Sequence, residues 1–132
     1  MDRMAIGARH TMIPLGDGPE PPGHGQRDLR GHPVFDHGGE EIGHVRDLLL
    51  DGENGQIRLL IIAADHTVDT VFRLFALPVD AISRLEPTRL FVGHLRERVL
   101  SAPLYDPNSP PPPEYWDGLF AYYGHEPFWT PG

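Results

Sequence analysis

Cysteine and lysine are both missing from the chain. Without cysteine there is no disulfide framework, no thiolate metal site and no cysteine nucleophile. Without lysine all eleven cationic side chains are Arg, and Gly38-Gly39 cannot belong to a phosphate loop, which needs a following helix, a Lys and a Ser or Thr. The only serines are Ser83, Ser101 and Ser109, none within G-x-S-x-G, so hydrolase chemistry has no visible nucleophile. No apolar run approaches the ~20 residues that cross a bilayer. Residues 1–11, with two Arg and a His, never build the apolar centre of a secretory signal. These absences predict a cytoplasmic protein with no membrane insertion.

Acidic charge, by contrast, is abundant. Nineteen Asp and Glu against eleven Arg leave a net charge of -8, which repels phosphate backbones and makes nucleic acid an unfavoured partner unless Arg is locally concentrated. The 132 residues fit one domain with polar, Pro-rich ends: an arm over 1–27, a barrel over 28–107, and a spacer with a tail over 108–132. A core of about 80 residues hides little more than ~60% of its unfolded surface, so it gains from a docked arm or a second copy of itself.

The chain is organised around residues 29–65. Three apolar runs, 33–35, 42–50 and 57–64, are separated by His37-Gly38-Gly39-Glu40 and Asp51-Gly52-Glu53-Asn54-Gly55, both rich in residues that tolerate positive φ. This spacing predicts a three-strand meander with strands at 32–36, 41–51 and 58–64. Gly43, isolated inside the second strand, marks a bulge or a close backbone approach. The third strand is almost continuously apolar and should be covered on both faces. A fourth strand is expected over 70–77, stopped by Pro78, then a short turn over 79–82, and two short strands at 83–86 and 89–92. Leu95 and Val99, at i and i+4, predict about two turns of amphipathic helix that plug one barrel end, stopped by Pro103. Before all this, Pro and Gly alternate too densely over 14–25 for helix or ladder, although Met4, Ile6, Met12, Ile13 and Leu15 could supply one short strand or a patch that lies on the barrel or on a neighbour.

These residues resemble the PRC-barrel family, whose members include the cytoplasmic domain of the photosynthetic reaction-centre H subunit and the C-terminal part of the ribosome maturation factor RimM. The resemblance runs from about residue 28 to 107. It is carried by Leu29-x-Gly31-x-x-Val34, Gly39-Glu40-x-Ile42-Gly43-x-Val45-x-Asp47-Leu48, Leu77-Pro78-x-x-Ala81-Ile82 and the stretch 95–103. It implies an all-β fold, a small antiparallel PRC-type β-barrel of about six strands with a short C-terminal helix. It also implies an assembly or adaptor surface rather than a conserved catalytic set. The chain departs from the family pattern at 65–70, which has no Gly, so that hairpin should be shaped differently.

Beyond the resemblance, 108–113 reads as a polyproline II spacer. Seven of the twelve aromatic residues fall between Tyr115 and Trp129, too dense for a solvated tail. Trp116, Leu119, Phe120 and Tyr123 sit at i, i+3, i+4 and i+7, one face of a helix that Pro113 starts and Gly124 ends. That face either packs on its own barrel or dimer groove, or docks a foreign partner through aromatic anchors.

Other constellations are weaker. His32, His37 and His44 match neither a helical H-x-x-x-H pair nor a zinc-finger spacing. Asp65, His66 and Asp69 lack the regular acidic spacing of a calcium loop. Glu40-Glu41, or Asp36 with Glu40, could form a carboxylate pair, but carboxylates in a Gly-rich turn are usually just solvated. Arg84, Arg89, Arg96 and Arg98 are the one positive concentration. They form either a face salt-bridged with Glu86 and Glu97 or a patch for an anion or a partner.

The reading is therefore a non-catalytic protein-binding or assembly module with no cofactor and no bound metal. It is expected to be a homodimer with an unidentified protein partner, and its binding candidates are Trp116, Leu119, Phe120, Tyr123, Arg96 and Arg98. An RNA- or ribosome-associated maturation factor is the first alternative. A metal-dependent enzyme is the second.

Overall fold

A computed structural model describes residues 12–14, 28–51, 56–64, 73–109 and 111–125. In chain order these form β1 (Met12–Pro14), β2 (Pro33–Phe35), β3 (Glu41–Asp51), β4 (Ile57–Ala64), β5 (Arg73–Pro78), a single 3-10 turn (Val79–Ala81), β6 (Ile82–Leu85), β7 (Leu90–Val92), α1 (Arg96–Leu100) and α2 (Pro113–Tyr123). Residues 52–55 and 65–72 lie outside the described residues, so the Gly-free hairpin and the Asp65, His66 and Asp69 group are among the expectations that fall there. No helix among the described residues is long and apolar enough to cross a membrane.

The longest strand, β3, is the spine. It pairs with β4 along one side, and on the other with β2 near Gly43 and with β1 near Leu50, so the arm's short strand completes the side that β2 leaves open. Arg46 is an extra residue in the β3–β4 ladder, which breaks strict alternation and lets Val45, Leu48 and Leu49 all be buried. Gly43 is required by close approach: a Cβ there would lie 2.1 Å from the Ala63 carbonyl oxygen. From Leu59 to Ala64 every residue of β4 is buried, as its unbroken apolar run predicts.

The strand order is β5-β4-β3-β2-β7-β6. Its two edge strands, β5 and β6, are successive in the chain and joined only by the three-residue turn Val79–Ala81. A six-strand sheet whose opposite edges are that close must curl back on itself, and the result is a half-barrel.

The closing pair corrects one expectation, because β2 and β7 run parallel rather than antiparallel. The chain reverses at β2–β3, β3–β4, β4–β5 and β6–β7, all antiparallel pairs. The Val79–Ala81 turn adds a corner without a hairpin. An even number of reversals returns the chain to its starting direction, so β7 meets β2 parallel.

The helices cover the curled sheet. Val99 of α1 and Trp116, Leu119, Phe120 and Tyr123 of α2 join the same hydrophobic core as the strands. Here α1 is shorter than its apolar spacing predicts: Leu95 is extended, precedes the helix and is 52% exposed, whereas Val99 is fully buried.

Candidate interaction surface

Three groups of polar and aromatic side chains stand out among the described residues. The first is centred on Asp36, just after β2. Its Oδ1 accepts the backbone N–H groups of Gly38 at 2.8 Å and Glu40 at 2.7 Å, and its Oδ2 accepts that of Arg96 at 2.8 Å. Burial alone would raise its pKa. The N–H groups of Glu40, Arg96, Gly38 and Gly39 outweigh that, and the carboxyl is held below its ordinary value. Asp36 is therefore the anchor of a turn and of a helix start, with its acceptor sites directed at backbone. No side chain from the helix's own N-terminus caps α1, and Asp36 takes that place from sixty residues away.

The second group ties α1 to α2. The Arg98 guanidinium donates to the Tyr122 carbonyl oxygen, the Tyr122 hydroxyl donates to the Arg98 carbonyl oxygen at 2.6 Å, and the Arg98 Cζ lies 4.4 Å from the Tyr122 ring centroid. Pro113 opens α2, and Gly124 closes it with φ 76°, its N–H and that of His125 donating to the carbonyls of Ala121 and Phe120. This end brings His125 to 5.6 Å from His94, whose ring also lies 4.9 Å from that of Tyr123. Burial, reinforced by the nearby positive charges of His125 and Arg98, pushes the His94 pKa down. Burial pushes Tyr115 up to about 12 and Tyr123 further still.

Of the sequence-level binding candidates, Trp116, Leu119, Phe120 and Tyr123 are thus placed inside the chain's own core. The chain's own strands cover that face. Arg98 is engaged with Tyr122, and Arg96 is half-buried with its N–H on Asp36. Arg96 and Arg98 belong to the helical junction, and Arg84 and Arg89 to the hairpin of β6 and β7.

That hairpin carries the third group, the outward face of β2 and β7. Phe35 and Phe91 are neighbours in the parallel pair, with ring centroids 5.4 Å apart. The Arg89 Cζ lies 5.7 Å from the Phe35 centroid and 5.2 Å from that of Phe91, and the Arg84 Cζ lies 5.5 Å from the Phe91 centroid. Glu86 bonds both guanidiniums at 2.6 Å, an arrangement that lowers its pKa chiefly through the hydrogen bond from Arg89. The Arg84 side chain is 68% exposed and that of Arg89 48%, while Glu86 is only 19% exposed. Solvent therefore meets guanidinium and aromatic surface there. Sequence reasoning missed this face, although Phe35 and Phe91 each follow a buried residue, Val34 and Leu90, in strands whose alternation turns them outward.

The histidine candidates are dispersed. His32 Nε2 lies 3.1 Å from the Pro87 carbonyl oxygen, His37 is exposed in the turn, and His44 is half-buried on β3. Among the described residues no three His, Asp or Glu side chains are grouped to hold a metal ion.

A family model described as the PRC-barrel domain matches residues 22–92, more than half of the chain and all of β2 to β7. The match ends with β7, before the two helices. No curated protein matches the chain.

Proposed function

The chain belongs to the PRC-barrel family, and on that premise we propose that it is a non-catalytic protein-binding module that assembles with other chains, including a second copy of itself. PRC-barrel domains are generally non-catalytic. The observation that carries the reading is the outward Phe35–Phe91 pair with Arg84 and Arg89 held over its rings. Aromatic rings and guanidiniums are the side chains most enriched where protein surfaces meet. Here they stand on a sheet, prearranged by stacking and by Glu86, so little conformational freedom is lost on binding.

The test is sedimentation velocity of the full chain over a concentration series, together with affinity capture from a native lysate. A mass that rises toward two copies, or a protein recovered in stoichiometric yield, is the expected result. A chain that stays monomeric throughout and recovers no stoichiometric protein defeats the reading.

A further inference from the structure

The two edges of the curled sheet are treated differently. Along β5 the outer edge is occupied: Phe75 bridges to Leu104, and the Tyr105 N–H donates to the Leu74 carbonyl oxygen at 2.9 Å. At the opposite end, β6 pairs with β7 on one side, and among the described residues no strand lies against its other side. Ser83, Arg84 and Leu85 are exposed there, Leu85 to 41%. A strand with one open side can receive an extended segment through main-chain hydrogen bonds.

The side chains beside that edge select what it receives. A depression of about 370 Å³ is lined by Asp36, whose carboxylate is occupied by backbone N–H groups, the His37-Gly38-Gly39 turn, Ser83, Arg84 and Phe91. Phe91 offers apolar surface for a side-chain stem, and Arg84 offers a guanidinium with donors left over from its bond to Glu86. Within a chain of net charge -8, the span from Ile82 to Val92 has two Arg and one Glu. A lysine- or arginine-bearing strand is repelled there, and an acidic one is drawn in.

We propose that the free edge of β6 adds an extended acidic segment of a partner protein as a further strand, one of its carboxylate side chains entering the depression to meet Arg84. The inference rests on the protein-binding reading above and deepens it. A single-stranded nucleic acid fits less well, because a continuous phosphate backbone meets a chain of net charge -8, whereas a peptide brings a single carboxylate to Arg84. A second copy offers the same Arg84-bearing edge and is also a poorer match.

The experiment is selection of a random-peptide phage library on the full chain, followed by fluorescence anisotropy of the enriched peptides. Enrichment of peptides with Asp or Glu flanked by strand-forming residues is expected. Arg84→Glu should weaken their binding by about tenfold or more, and Glu86→Gln, which releases both guanidiniums, should tighten it. Proline placed at alternate peptide positions should abolish it by removing ladder N–H groups. Enriched peptides without acidic residues, or binding indifferent to Arg84→Glu in a variant that melts like the parent, overturn the inference. So does tighter binding of an oligouridylate probe than of any selected peptide, or a second copy lost on Arg84→Glu. If the peptides fail while stoichiometric capture or dimerisation persists, only this inference falls.

Discussion

The Asp36 carboxylate accepts the backbone N–H of Arg96 at 2.8 Å and so caps a helix that begins sixty residues further along the chain. Two other backbone N–H groups complete the set, so the charge is buried but solvated by peptide dipoles. Replacing Asp36 with Ala should cost about 2–3 kcal/mol, as expected when buried donors lose a charged acceptor. Its folded pKa lies below the ordinary 3.8, so its stabilisation is complete above that value and is lost as pH falls through the folded pKa. Thermal melts across the acid range should therefore show a limb below pH ~4 that Asp36→Asn flattens.

His94 acts at higher pH. Burial, with His125 and Arg98 nearby, places its folded pKa below the ordinary 6.5. The unfolded chain then binds more protons than the folded one as pH drops past that value, so stability is complete above pH ~6.5 and declines below it. His94→Phe keeps a ring against Tyr123 and should shrink the fall in melting temperature between about pH 8 and pH 5.

Two glycines should respond oppositely to alanine. In α2, Gly118 has nothing within 4 Å of where a Cβ would stand, so Gly118→Ala should stabilise by about 0.5–1 kcal/mol through helix propensity alone. At Gly43 the added methyl meets the Ala63 carbonyl, and Gly43→Ala should cost about 3 kcal/mol or leave the protein insoluble. Urea titrations of the pair measure both signs.

Phe120 and Leu119 are as buried as any residue of the sheet. Phe120→Ala should destabilise by about 3–5 kcal/mol, a large share of a small domain's stability. A variant that melts unchanged would mean that α2 is not seated on the strands.

Much of the fold is legible locally. The start of β3 follows from the Gly38-Gly39 turn before it. The bounds of α2 follow from Pro113, which lacks only an N–H the first turn does not use, and from Gly124, which takes the left-handed residue at its end. What is not legible is set by residues distant in sequence. Nothing near Asp36 in the chain identifies Arg96 as its partner, and the i, i+4 rule places Leu95 in a helix that a remote cap starts one residue later. The parallel β2–β7 pair follows from counting reversals over the whole chain, which no window of sequence contains. The Phe35–Phe91 face exists only once that pair forms, so no stretch of sequence around Arg84 and Arg89 shows that their guanidiniums lie over two aromatic rings.

The three-residue corner between β5 and β6 has a kinetic consequence. The meander from β2 to β5 can grow by hairpins between neighbours, but the pairing of Val34 with Leu90 must wait until the corner has swung β6 and β7 around to the far side of β2. Asp36 reaches Arg96 only after that event. The capping of α1 is thus a late step, so the share of Asp36's stabilisation that comes from Arg96 should appear in the unfolding rate, whereas the share from Gly38 and Glu40 in the early meander should appear in the refolding rate.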